Sequence, residues 1–266
     1  MRESSPERRD ESGYYRSIAM NLTWCGRTHI CGRPNNEDAF DMQQINDHLA
    51  VFAVADGLGG HPAGEAASRI AVTALMDTVR TLASMNVSCS TAQMQEILSL
   101  GFLAASRSIS DDCSRNPDHT GMGTTLLAAL INDASDCVVA HAGDSRAYRG
   151  SDELIQITKD HSLVQELIGR GLITQEEARL HPDKNVVTRI ISDMPVNPDF
   201  ADLRLEKNTL LLCTDGLTDA LSDEEIFVEM KNPDVPWICT NLIERSRRIN
   251  RDNTTIIVVR AYSVTG

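Results

Sequence analysis

A chain of 266 residues with a formal net charge of -13 is unsuited to gripping nucleic acid or an anionic membrane surface, because both repel it. Its 41% hydrophobic content supports a sizeable core, and only 4% aromatics leave that core to Leu, Ile, Val, Ala and Met. No apolar run reaches about 18 residues, which excludes a spanning helix, and seven scattered cysteines without a CxxC pair exclude a zinc ribbon and imply a reducing, cytoplasmic setting.

Residues 1–20 read as a flexible polar lead without a secretory apolar region, and a single domain is expected over residues 21–262. Strands are predicted near Leu22–Cys25 and Ala39–Gln43, around a loop carrying Arg33-Pro34-Asn35-Asn36-Glu37-Asp38. The apolar run Leu49–Ala55 reads as a buried strand that stops at Asp56-Gly57. A glycine-rich turn follows. A helix is then predicted over about Gly64–Ala83, because Ala67, Ile70, Ala71, Ala74, Leu75 and Val79 recur at helical spacing. The Ser/Thr-rich stretch Ser84–Thr91 separates it from a second helix, about Ala92–Ser114. Met122–Leu130, Asp136–Ala142 and Ser145–Arg149 read as an antiparallel meander, with a turn at Asp152-Glu153 before Ile155–Ile157.

Between Asp160 and Pro198 apolar strand runs stop, so this stretch reads as an insertion. Ser162–Arg170 is expected to form a short helix, and Thr174 with Glu177 fits a capping box opening another. The sheet resumes at Leu203–Leu205 and Leu210–Thr214. Helices are expected from Ser222 and over about Pro236–Ile249, and the last strand over Thr254–Val259. Long consecutive helices between groups of strands imply helices layered outside sheets.

Four aspartates stand at the ends of apolar runs: Asp56, Asp144, Asp215 and Asp252. Three of them touch a glycine. Singly, each reads as ordinary Asp-Gly turn chemistry. Together they point to one sheet rim, where carboxylates repel unless a cation separates them. Oxygen-only donors suit magnesium or manganese, and a glycine beside a ligand lets the backbone come close. Competing phosphate motifs fit poorly. Gly57-Leu58-Gly59-Gly60 has Pro62 where a dinucleotide loop needs glycine, and neither GK[ST] nor GxSxG occurs. Arg33 either pairs with Glu37 or Asp38 on its own loop or grips a phosphate with its planar fork. His61 and His161 lie nearest these motifs. Each reads as a solvated loop histidine, with His61 also a candidate proton donor to a leaving group.

Seven motifs then occur in order: the Arg33–Asp38 loop, Val54–His61, Gly64–Ser68, Gly121–Thr125, Gly143–Tyr148, Thr214–Leu217 and Asp252–Thr255. In this the chain resembles the metal-dependent protein serine/threonine phosphatases of the PPM family, type 2C, in their bacterial branch, over about Leu22–Val259. The resemblance implies an α+β fold: a four-layer αββα sandwich of two antiparallel sheets flanked by helices, with residues 160–198 as a flap. It also implies hydrolysis of phosphoserine and phosphothreonine in proteins by a water activated on two magnesium or manganese ions, with a third ion in bacterial members. Asp56 would bridge two metals, the Gly57 carbonyl would help hold the first, and Asp215 and Asp252 would hold the second. Asp144, with Asp215, would bind the third. Arg33 would bind phosphate, and Glu37 and Asp38 would hold metal-bound waters. A cognate serine/threonine kinase and a monomeric state are expected, with no nucleic-acid or membrane partner. Thr28-His29 departs from the family's Ser-Asp, Leu58 stands for its Met, and His61 does not align with the histidine acid of eukaryotic members. Two alternatives compete: a phosphatase of a small phosphorylated metabolite, or a kinase-docking module with weak activity. A binding-only relative that has lost its ligands is disfavoured, because every expected ligand is present.

Overall fold

The computed structural model describes residues 14–17, 20–58, 62–83, 89–249 and 251–262. In chain order it contains β1 (Tyr14–Ser17), β2 (Leu22–His29), β3 (Asp38–Asn46), β4 (Leu49–Leu58), α1 (Pro62–Ala83) and α2 (Thr91–Arg115). β5 (Gly123–Thr124), β6 (Leu126–Asn132), β7 (Asp136–Ala142), β8 (Arg146–Gly150) and β9 (Leu154–Gln156) follow. α3 (Leu163–Gly169) and α4 (Gln175–Arg179) lie in the segment between β9 and β10 (Asp199–Arg204). The chain closes with β11 (Thr209–Cys213), α5 (Asp215–Ala220), α6 (Asp223–Met230), α7 (Val235–Ile249) and β12 (Thr254–Ala261).

One sheet has the order β1-β2-β12-β11-β8-β9, and the other has β10-β7-β6-β4-β3, with β5 paired to β4. All of these pairings are antiparallel. Side chains alternate between two buried layers, as a period of two dictates. Along β4, Leu49, Val51, Ala53 and Ala55 pack under α1 and α2, while Ala50, Phe52 and Val54 point between the sheets. Phe52 meets Trp24 of β2 edge-on there, with ring centroids 5.7 Å apart. On β12, Ile256 and Val258 pack under α5, α6 and α7, and Ile257 and Val259 join the core between the sheets. Both faces of the inner strands are therefore covered, and β4, β6, β7, β11 and β12 are near-continuous apolar runs instead of alternating ones. The layering is helix, sheet, sheet, helix: the α+β sandwich that the motifs implied.

Local signals set the helix starts. Ser90, Thr174 and Ser222 each accept the N–H three residues on, and Gln93, Glu177 and Glu225 reach back to complete capping boxes. Four elements differ from the sequence expectation. Tyr14–Ser17, inside the stretch read as a lead, is an edge strand on β2, and Tyr15 stacks on Trp24 at 5.7 Å. The run Met122–Leu130 breaks at Thr125, whose N–H leaves the sheet register to donate to Asp56 O at 2.9 Å. β10 begins at Asp199, four residues before the predicted strand, because its partner β7 extends to His141 opposite it. Asp215, read as a strand end, opens α5.

This topology builds one rim. β3 and β12 begin there, β4 and β11 end there, and the β7–β8 corner turns there. Asp38 pairs with Asp56 across β3 and β4, and Cys213 pairs with both Arg146 and Ile256.

Candidate active site

Each acidic residue on the rim is held by its own backbone support. Asp56 ends the apolar stretch of β4. Its N–H donates to Thr125 Oγ1 at 2.9 Å, and its C=O accepts from the Thr124 hydroxyl at 2.8 Å. Thr125 Oγ1 also meets Ser145 Oγ at 2.8 Å, which joins the Asp56 end to the Asp144 corner. Gly57 N–H donates to Glu37 O at 3.1 Å, and Ser68 Oγ donates to the same oxygen at 2.6 Å. A Cβ on Gly57 would drive into Gly64 O and stand 2.7 Å from Glu37 O, so only glycine fits.

Asp252 and Asn253 precede β12. Asn253 is 5% exposed. Its Oδ1 accepts from Glu37 N–H at 2.8 Å, and its Nδ2 donates to Ile30 O and Asn35 O, each at 3.0 Å. The loop bearing Arg33 is thereby pinned to the start of β12. Arg33 Nη2 donates to Asp252 Oδ2 at 2.7 Å, across the chain and not to Glu37 or Asp38 on its own loop. Thr214 Oγ1 donates to Asp38 Oδ2 at 2.9 Å and accepts from Thr255 N–H at 3.0 Å.

Arg33, Glu37, Asp56, Gly57, Asp144, Asp215 and Asp252 line one cleft of about 240 Å³, with Asn185 and Val187 of the inserted segment closing its side. Asp38 lies behind this wall, buried. A second cleft of about 310 Å³ shares Asp144, Asp215 and Asn185, and continues between the inserted segment and α5–α6. His61 lies outside the described residues, so its placement at the rim is not assigned. His161, read as solvated, is buried at 8% exposure, because it packs at the root of the inserted segment against His141. Sequence reasoning assigns no role to Asn253, Thr125 or Thr214. Each sits inside a motif, but its hydrogen bonds connect segments far apart in the chain.

The electrostatics need a counter-charge. Burial, then the neighbouring carboxylates of Asp38, Asp215, Asp144 and Asp252, holds the Asp56 carboxyl well above the usual aspartate range. Burial and Asp215 push Asp144 up to about 8. Burial raises Asp38 to about 7 against the opposing hydroxyls of Thr255 and Thr214. Burial, with Asp252 and Asp219, raises Asp215 to about 6. Asp38 is buried and Asp56, Asp144 and Asp215 are half-buried, and partly desolvated carboxylates in one cluster ionise together more readily when a cation pairs with them.

The donor set fits a divalent cation. Among the described residues, Asp38 Oδ1 and Asp215 Oδ1 are buried without a hydrogen-bond partner. An orphaned buried carboxylate oxygen is costly, and a cation would satisfy it. Gly57 lines the cleft, with no side chain between its backbone and the other lining groups. Among the described residues no three His, Cys, Asp or Glu side chains converge tightly enough to enclose an ion unaided. Magnesium-like ions are held by one or two carboxylates with carbonyls and waters, so an open, water-rich site of this kind remains compatible.

The αββα sandwich thus gathers half-buried acids and an exposed arginine on one rim, the fold and site layout of a metal-dependent phosphatase family. The chain belongs to the protein phosphatase 2C family, whose model matches residues 25–238. It is 36% identical over 229 residues to the serine/threonine protein phosphatase PstP of Mycobacterium tuberculosis, covering 85% of this chain and 42% of that protein. The chain thus spans under half the length of that relative. It is 38% identical over 206 residues to the protein phosphatase PhpP of Streptococcus pneumoniae, covering 73% of this chain and 78% of PhpP. It also superimposes on a crystal structure of the catalytic domain of PstP in complex with two manganese ions. That match has a TM-score of 0.77 and 33% identity, over 91% of this chain and 99% of the other. Among the described residues no helix is long and apolar enough to cross a membrane.

Proposed function

We propose that this protein is a metal-dependent protein serine/threonine phosphatase, which hydrolyses phosphoserine and phosphothreonine and opposes a serine/threonine kinase. The observation that carries the reading is the single cleft in which Asp56, Asp144, Asp215, Asp252 and the Gly57 backbone face Arg33. Magnesium or manganese is the expected cofactor, held by Asp56, the Gly57 carbonyl, Asp215 and Asp252, with Asp144 on a third ion. When bound, such cations polarise phosphoryl oxygens and bring the pKa of a coordinated water to about 7.

The chain's own residues supply the rest. Arg33 is half exposed and its partner Asp252 is one-third exposed. An ion pair this open contributes about 0–1 kcal/mol, so a phosphate dianion can take over the fork. Asn253 keeps the Arg33 loop in register while that exchange takes place. Glu37 stands at the cleft wall, where its carboxylate can accept a proton from water, and Asp38 backs it from the buried side. The adjoining cleft beneath the inserted segment, read as a flap over 160–198, extends the site well beyond the volume a phosphoryl group fills. That extension favours a polypeptide substrate over a small metabolite. All seven cysteines are free, which fits a reducing cytoplasm.

Asp215→Asn keeps the shape of the side chain and removes its charge. It should abolish release of p-nitrophenol from p-nitrophenyl phosphate and of phosphate from phosphothreonine peptides, with the circular dichroism spectrum unchanged. Full turnover in that variant, or full turnover after exhaustive chelation, contradicts the reading. Equal or faster turnover of sugar phosphates than of phosphopeptides under manganese would favour the metabolite alternative.

A further inference from the structure

The short run Lys159–His161, at the root of the inserted segment, is tied residue by residue to the strand corner that carries Asp144. His141 Nε2 meets Lys159 O at 2.9 Å. Arg146 donates to Asp160 from Nε at 3.0 Å and from Nη2 at 2.6 Å, a bidentate pair. His161 acts on the corner itself. Its backbone N–H donates to Gly143 O at 3.0 Å, and its Nδ1 accepts the Gly143 N–H at 3.1 Å. Gly143 has φ of +121°, and a Cβ there would stand 2.6 Å from Thr125 Cβ. The corner is therefore a glycine whose N–H and C=O both end on residue 161.

The ring is held in one tautomer. A backbone N–H can only donate, so Nδ1 presents a lone pair and the proton sits on Nε2. Nε2 meets Asp199 Oδ2 at 3.1 Å. Asp199 also pairs with Arg189 of the inserted segment, and lies opposite His141 where the chain re-enters the sheet as β10. The imidazole stacks on His141, with centroids 4.5 Å apart and planes 4° from parallel. His161 O accepts from Thr188 N–H at 2.8 Å. One buried side chain thus joins both ends of the segment to the turn that presents Asp144.

We propose that His161 is a positioning residue: it fixes the Gly143–Asp144 corner, and with it the direction of the Asp144 carboxylate, from the closed root of the 160–198 segment. Its kinetic consequence rests on the phosphatase reading above. The clamp itself does not. Without the imidazole, the Gly143 N–H loses its acceptor and the corner can rotate away from the cleft.

The test compares the full chain with His161→Gln and His161→Ala. Glutamine can accept through Oε1 and donate through Nε2, and so can keep both bonds, whereas alanine keeps neither. In His161→Ala the Gly143 amide should exchange with deuterium at least about tenfold faster. Its kcat on a phosphothreonine peptide with manganese should fall about ten- to a hundredfold, with KM within about twofold, as for a misplaced group that leaves binding intact. His161→Gln should recover both to within about threefold of the parent chain. Unchanged Gly143 exchange in the alanine variant overturns the proposal, as does a folded glutamine variant that loses as much kcat as alanine. Should the alanine variant fail to fold, the glutamine variant decides alone: near-parental kcat with a protected Gly143 amide supports it, and loss of either overturns it. A parent chain without manganese-dependent turnover sinks the phosphatase reading instead. The clamp is then judged on Gly143 exchange together with manganese affinity measured by calorimetry, which the alanine variant should weaken.

Discussion

Two residues at the cleft separate binding from folding. Arg33 makes a partly exposed ion pair with Asp252 and little else holds its guanidinium. Arg33→Ala should therefore change unfolding free energy by less than about 1 kcal/mol. The same substitution removes the bidentate fork, and KM for a phosphothreonine peptide should rise about tenfold or more. Paired thermal melts and steady-state kinetics check both halves, and a large loss of stability with unchanged KM would overturn the assignment. Gly57 is the opposite case. A methyl group there meets the carbonyls of Gly64 and Glu37, which cannot move without disturbing the Arg33 loop and the start of α1. Gly57→Ala should cost about 1–3 kcal/mol by urea unfolding and should lower turnover as well, because the crowded backbone is the one facing the cleft.

Among the elements, β4 carries the most. It packs α1 and α2 with one set of side chains, fills the space between the sheets with the other, and delivers Asp56 to the rim. Phe52 is fully buried in that middle layer against Trp24. Phe52→Ala should destabilise the protein by about 3–5 kcal/mol in denaturant titrations. Turnover per folded molecule, measured at low temperature, should stay near the parental value, since the cavity opens away from the rim. The inserted segment is fastened differently. Thr124 and Ile191 exchange both backbone hydrogen bonds, at 2.8 and 3.0 Å, and the bonds of His161 close its root. Between these anchors Leu172 and Leu180 are exposed and add little to a core, and the segment is held there by Leu163 N–H on Val186 O at 2.9 Å and by Lys184 on Asp219 at 2.8 Å.

For the whole molecule, the acid rim couples folding to pH and metal. Asp215, Asp38 and Asp144 are raised to about 6, 7 and 8 from an ordinary value of 3.8. A carboxyl whose folded-state value is raised holds its proton more tightly when folded. Its favourable contribution is full below about pH 4 and is lost as pH climbs through the folded values. Metal-free protein should therefore melt at progressively lower temperature from about pH 5 to about pH 8.5. Saturating manganese should flatten or reverse that trend, because the ion binds the folded, deprotonated cluster. Melting curves with chelator and with manganese across that range test it, and parallel curves of equal slope would mean that the rim acids do not form the ion site.

The sequence by itself determined most strands and helices, the capping box at Thr174, the helix start at Ser222, and the ordered acid-glycine motifs. Each of these is a local pattern: an apolar run, a three-residue cap or a turn dipeptide. Family resemblance carried the four-layer architecture, because continuous apolar runs show that a strand is covered on both faces but not which element covers each face. Only the tertiary structure decided that Arg33 meets Asp252 across 219 positions of chain, and that Asn253 pins the loop between them. It likewise buried His161 against the Gly143 turn and made Tyr14–Ser17 an edge strand. These are pairings between groups distant in the chain, and their energies come from desolvation and hydrogen-bond geometry that exist only once both sheets have closed on each other.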